Sequence, residues 1–194
     1  MKKTINTLLP YLFLLFALTT NLKCVSALDL GDTEGNWLYN GVNYYILPST
    51  FRGEDAGSGL TFARIGASDS LAVVQPATNG WNGSAVTISN PGGTKIIITG
   101  SPVDFKFADQ SSKWVVVFDE SAKVWYLSAN GAKPGQKTKT GTFQISQLNL
   151  GFKFSFCNPS FCEDVGSFVD ADKHNRLALG GSPFSFKFQN AHNN

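Results

Sequence analysis

Residues 151–156 read "GFKFSF" and residues 184–188 read "FSFKF". In both, phenylalanine alternates with lysine or serine. Successive side chains of a strand point to opposite faces, so each stretch sets Phe on one face and polar groups on the other. Working outward, short apolar runs of the same kind recur as "NYYILP", "LAVVQ", "AVTIS", "KIIIT", "DFKF", "KWVVVF", "VWYL", "TFQIS" and "LALG". Clusters of Gly, Pro, Asn, Asp and Ser separate them, and no stretch carries the period of an amphipathic helix. Many short strands at regular spacing predict an all-β sandwich or barrel. "GSPVDFKF" (100–107) and "GSPFSFKF" (181–188) echo each other, which points to pseudo-symmetry without fixing a repeat length.

The chain starts in another style. Lys2 and Lys3 precede the apolar run "LLPYLFLLFALTT", and Val25-Ser26-Ala27 supplies small residues for cleavage. That is the layout of a secretory signal peptide. Pro10 interrupts the run, which is shorter than the ~20 residues of a spanning helix. The expectation is a cleaved leader over 1–27 and one domain over 28–194, with no membrane attachment after cleavage. Lys2, Lys3 and Lys23 leave with the leader, three of 16 Lys and Arg against 14 Asp and Glu, so the remainder carries about one net negative charge. Such a balance makes no electrostatic claim on nucleic acid or anionic lipid. Cys24 also leaves. Cys157 and Cys162 remain, and secretion favours a disulfide between two thiols so close in sequence. A metal site would need two further ligands, and no nearby Cys or His supplies them.

Little else points to chemistry. Asp170, Asp172 and His174 form D-x-D-x-H, a candidate for metal or acid–base work, but "DADKHN" is also turn composition. His192 sits in the polar tail "NAHNN". No Gly-x-Ser-x-Gly, His-Glu-x-x-His or phosphate-loop motif occurs, so neither an enzyme nor a cofactor is expected. Trp37, Trp81, Trp114 and Trp125 are scattered, which favours core or hairpin packing over carbohydrate stacking. Asn82-Gly83-Ser84 is a glycosylation sequon in a Gly/Asn-rich loop, a candidate surface site.

Residues 30–46, "LGDTEGNWLYNGVNYYI", carry a family signature. Leu30, Asp32, Glu34, Gly35, Asn36, Leu38, Tyr44 and Ile46 fill every slot of the N-terminal pattern of plant Kunitz inhibitors of the soybean trypsin inhibitor type, which this stretch resembles. "LAVVQ" (71–75), "FCNPSFCEDVG" (156–166), "DADKHNRLAL" (170–179) and "PFSFKFQNA" (183–191) also look like that family, so the resemblance spans the chain beyond the leader. It implies a β-trefoil: twelve strands in three similar units, forming a barrel capped by hairpins. It further implies a secreted or vacuolar monomer whose partner is a protease of the serine class. The family usually has two disulfides. Asp69 stands where one half of the first would be, leaving Cys157–Cys162.

The resemblance also gives "SNPGGTK" (89–95) a role. By spacing from Val73-Val74-Gln75 to Phe105-Lys106-Phe107, this is the family's inhibitory loop, with Pro91, Gly92, Gly93, Thr94 and Lys95 displayed. The bait residue, which enters the protease's primary pocket, falls at Gly93, and the target bond at Gly93–Thr94. A register shifted by two would present Lys95 instead. Asn40 matches the family asparagine whose amide holds the loop's carbonyls, although Asn40-Gly41 also reads as a plain turn. The implied mechanism is docking of an extended, substrate-shaped loop that loses little entropy on binding. With no side chain at the bait position, trypsin is an unfavoured target. The competing reading is a non-inhibitory binding protein on the same scaffold, taking a carbohydrate, small molecule or protein.

Overall fold

A computed structural model describes residues 30–49, 58–64, 70–77, 80–169 and 175–192. The leader, Asp69 and the Asp170, Asp172 and His174 cluster lie outside these described residues. Twelve strands and no helix form among them. The first four are β1 (Asn43–Pro48), β2 (Thr61–Arg64), β3 (Leu71–Gln75) and β4 (Val86–Ser89). The next four are β5 (Pro102–Phe107), β6 (Val115–Asp119), β7 (Val124–Ser128) and β8 (Thr142–Leu148). The last four are β9 (Gly151–Cys157), β10 (Cys162–Val169), β11 (Asn175–Leu179) and β12 (Phe186–Asn190).

The pairings divide these into two layers. β1 pairs β4, β4 pairs β5, β5 pairs β8, β8 pairs β9, β9 pairs β12, and β12 returns to β1. Six antiparallel strands thus close a ring, which leaves no free sheet edge in the barrel. The other six form three hairpins, β2–β3, β6–β7 and β10–β11. Their inner strands β3, β7 and β11 pair with one another and cap one end. Each run of four strands gives its first and fourth to the barrel and its middle two to the cap. This is the β-trefoil. The echoing segments at 100–107 and 181–188 both enter the barrel from a glycine at φ +74°, but they become β5, a first strand, and β12, a fourth. The echo is a shared turn-into-strand device and not the threefold repeat.

Alternation fills the barrel. Val103, Phe105 and Phe107 point inward from β5, and Phe186 and Phe188 from β12, all buried. Phe154 of β9 lies at the centre, with ring centroids 4.7 Å from Phe105, 4.5 Å from Phe186 and 6.2 Å from Phe188. On the outer face, Lys153 and Ser155 both donate to Asp164 of β10, each at 2.7 Å. Cys157 and Cys162 face each other across the β9–β10 register and are bonded, with S–S 2.04 Å. Trp114 packs in the core as anticipated, and Trp125 against Phe118. Trp37 and Trp81 do not pack so, each being 48% exposed.

The cap has a charged clamp. Arg176 of β11, 4% exposed, lies beside the rings of Tyr126 and Phe168, and its Nη1 donates to Asp119 at the end of β6 at 3.0 Å. Burial opposes ionisation of Asp119, but donors from Ser121, Ala122 and Arg176 outweigh it and hold its pKa at about 2. A folded-state pKa below the unfolded value stabilises fully above about pH 4, and the contribution vanishes as pH falls through about 2. After allowance for screening the effect is about 1–2 kcal/mol. Asp119→Asn is therefore expected to lower stability by about that much at neutral pH, with the gap to wild type closing below pH 4. Urea denaturation of both proteins across this range measures it.

Candidate functional site: the loop between β4 and β5

β4 ends at Ser89, and the chain turns at once. Asn90 is buried, whereas Pro91, Gly92, Gly93, Thr94 and Lys95 are all exposed. The Asn90 side chain fills the inside of the loop. Its Oδ1 accepts from the Gly92 N–H at 2.6 Å, and its Nδ2 donates to Thr94 Oγ1 at 3.0 Å and to Ser101 Oγ at 3.4 Å. The Gly93 N–H donates to the Asn90 carbonyl at 3.0 Å, which closes a four-residue turn around Pro91. Thr94 Oγ1 passes the network on to the Ile96 carbonyl at 2.8 Å.

The two glycines serve different ends. A Cβ on Gly92 would sit 3.0 Å from Asn90 Oδ1, so the small residue leaves room for the strut. Gly93 has φ +73°, in the region that favours glycine, and a Cβ there would project into open space. The expectation of an extended segment is thus not met at the centre of the loop. Asn90, Pro91 and Gly93 together make a tight turn, because the buried amide offers the backbone a local partner.

Asn40 reaches this loop from a neighbouring segment. Its Oδ1 accepts from the Asn90 N–H at 2.9 Å where the loop begins, and its own N–H donates to the Lys95 carbonyl at 2.9 Å where it ends. The side chain therefore holds a backbone N–H, and the hold on a carbonyl comes from the Asn40 backbone. Gly41, at φ +79°, lets the chain swing away, and its N–H bonds the Ile88 carbonyl at 2.8 Å. Support and turn coincide in this one dipeptide. Tyr44 stands behind both: fully buried, it takes the Tyr39 N–H on its hydroxyl at 2.8 Å, and burial pushes its pKa up.

Beyond the loop, Tyr39 bridges Ile96, and the Ile97 N–H donates to the Leu38 carbonyl at 2.8 Å. The run at 96–99 is therefore a brief ribbon against 37–39 and not a full strand. Among the described residues, no group of three His, Cys, Asp or Glu is placed to hold a metal ion. The residue that sequence reasoning missed is Asn90. The signal was present, since Asn before Pro-Gly is a turn-initiating pair.

Comparison with known proteins places this geometry in context. The legume Kunitz family, described as "Trypsin and protease inhibitor", matches residues 30–190. The chain belongs to this family of Kunitz-type protease inhibitors. Kunitz trypsin inhibitor 5 of Arabidopsis thaliana is 34% identical over 197 residues, covering 95% of this chain and 98% of that protein. A crystal structure of a Kunitz type trypsin inhibitor from Cicer arietinum superposes with TM-score 0.76 at 29% identity, covering 84% of this chain and 98% of that one. Soybean trypsin inhibitor in complex with porcine pancreatic trypsin gives TM-score 0.74 at 27% identity, over 84% and 99%.

The roles of Asn90 and Asn40 separate experimentally. Asn90→Ala is expected to cost about 1–3 kcal/mol and to leave the Gly92 amide open to rapid hydrogen exchange, while the Gly93 amide keeps the residue-90 carbonyl as its acceptor. Asn40→Ala frees the Asn90 amide but keeps the Lys95 tie. Residue-resolved exchange on the two variants should show the barrel amides unaffected in both.

Proposed function

We propose that the chain is a secreted serine protease inhibitor that docks the 90–95 loop in the protease cleft with Gly93 at the primary pocket. The observation that carries this is the double tie from Asn40 to the two ends of a loop otherwise exposed from Pro91 to Lys95. A tied loop loses less entropy on docking, so its contacts convert more fully into affinity. The names of the Arabidopsis and Cicer relatives, and the trypsin complex of the soybean protein, support the same partner class. The chain has no catalytic role in this reading.

The geometry favours Gly93 over Lys95 as the bait. A residue at the scissile bond must offer its carbonyl to the protease's oxyanion donors. The Lys95 carbonyl is already engaged by the Asn40 N–H. Glycine also passes from φ +73° to an extended conformation at little cost. Its missing side chain is the weakness: a basic bait residue is a hot spot of such interfaces, and Gly93 forgoes it. Trypsin inhibition by wild type is accordingly weak. The same bare centre favours a second reading, a binding protein of this family that inhibits no protease.

Gly93→Arg is expected to tighten trypsin inhibition by about 3 kcal/mol or more, about a hundred-fold. The left-handed strain of about 1–2 kcal/mol that an arginine meets at φ +73° falls on the free turn and not on the extended docked form. Adding Asn40→Ala should lose much of the gain, and Lys95→Ala should change wild-type inhibition little. Inhibition constants for these proteins decide the matter, and no gain from Gly93→Arg would refute the placement.

We also propose cleavage of residues 1–27 on secretion and a glycan on Asn82. Asn82 is half-buried beside the exposed Trp81, in the segment that leads to β4. Protein from a secreting plant cell should begin near Leu28 and gain gel mobility on deglycosylation, while Asn82→Gln should run at the deglycosylated position.

A further inference from the structure

Seven large apolar side chains stand exposed among the described residues, and three of them share one small surface. Leu38 and Ile97 face each other in the 37–39/96–98 ribbon and point into the core, at 0% and 3% exposure. Alternation turns their neighbours outward. Trp37 (48% exposed), Tyr39 (38%), Ile98 (40%) and the half-buried Ile96 therefore share the outer face, with Tyr39 bridging Ile96 and Trp37 bridging Gly31 on its other side. None of the four is charged; Lys95 flanks the ribbon at its loop end, and Asp32 and Glu34 lie beyond Trp37 at the other.

The ribbon is continuous with the loop. Its first rung is the bond from Asn40 N–H to the Lys95 carbonyl, and Thr94 Oγ1 is tied to the Ile96 carbonyl. A protease that grips Gly93–Thr94 meets Lys95 and then Ile96 next along the leaving-group side of its cleft. We propose that the Trp37–Tyr39–Ile96–Ile98 face is a second contact of the inhibitor, selecting a protease whose cleft is walled by apolar residues on the leaving-group side. This rests on the loop reading above. Trp and Tyr are the residues that dominate interface energetics, and a rigid two-strand base presents them without ordering cost. The face supplies what Gly93 withholds, and it rejects proteases whose wall there is charged, since that charge would be buried without a partner.

The test uses the full secreted protein against trypsin, chymotrypsin, elastase and subtilisin. Trp37→Ser with Ile98→Ser, both exposed positions, is compared with Asn90→Ala and wild type. The double variant is expected to weaken inhibition of the best-inhibited protease by about thirty-fold or more, with an unchanged melting temperature and unchanged Gly92 and Gly93 amide protection. Asn90→Ala should weaken it too. If only Asn90→Ala does so, the loop reading stands and the second contact is wrong. If only the double variant does so, a loop-independent site is present, and both readings fall. Neither variant having an effect, or wild type inhibiting none of the four, also overturns both. A wild-type dimer in sedimentation that the double variant dissolves would assign the face to a second copy of this chain and overturn the proposal.

Discussion

Asn40 fastens the start of the 90–95 loop with its side chain and the end with its backbone, at 2.9 Å each. Such a hold is only as stiff as the residue that makes it, and Asn40 is itself fixed from below. Leu38 is fully buried in the core, Gly41 is bonded to β4 through the Ile88 carbonyl, and Tyr44 of β1 takes the Tyr39 N–H on its buried hydroxyl. β1 pairs both β4, which leads into the loop, and β12, which closes the barrel. The loop thus inherits its position from the closed ring. A change in the Phe105–Phe154–Phe186 core would reach it through strands with no free edge on which to slip.

The loop trades contact for conformation. Gly92 gives up a side chain so that Asn90 can sit inside, and Gly93 gives one up so that the chain can turn. What remains displayed is backbone, framed by Pro91, Thr94 and Lys95. An interface built on backbone alone is weak unless something beside it contributes, and the apolar ribbon that follows the loop is suited to do so. In the docking proposed above, affinity and selectivity move from the bait pocket to the surface next to it.

Much of this architecture was legible in the sequence. Ten of the apolar runs became strands, because alternation reports burial directly wherever one face meets the core. The 30–46 signature was legible for a related reason: Leu30, Leu38, Tyr44 and Ile46 are its buried positions, while Asp32 accepts the Glu34 and Asn36 N–H groups in the turn before them. β2 escaped because Thr61–Arg64 holds a single large apolar side chain, Phe62, and β10 because its Glu163 and Asp164, paired with Lys139 and Lys153, break the apolar pattern. The run at 96–99 reads as a strand, yet its partner segment ends after three residues. Trp37 misled because composition cannot say which face of a ribbon a ring occupies, and Trp81 because it lies in the irregular segment before β4. Within the site, the contact of Asn40 with the 90–95 loop was legible by resemblance, but its manner was not: the side chain accepts from the Asn90 N–H and the backbone holds the Lys95 carbonyl. The strut from Asn90 and the left-handed Gly93 were not, since both depend on hydrogen bonds that close only in three dimensions.

The central claim is that the protease treats Gly93–Thr94 as its substrate bond. A docked bond is cut slowly even when the complex is stable, because the catalytic groups remain in place around it. Prolonged incubation with a catalytic amount of the best-inhibited protease, followed by N-terminal sequencing of the products, reads that bond directly. The account predicts one new terminus, beginning Thr94-Lys95-Ile96. A first cut after Lys95, or one elsewhere in the chain with residues 90–95 intact, would contradict it.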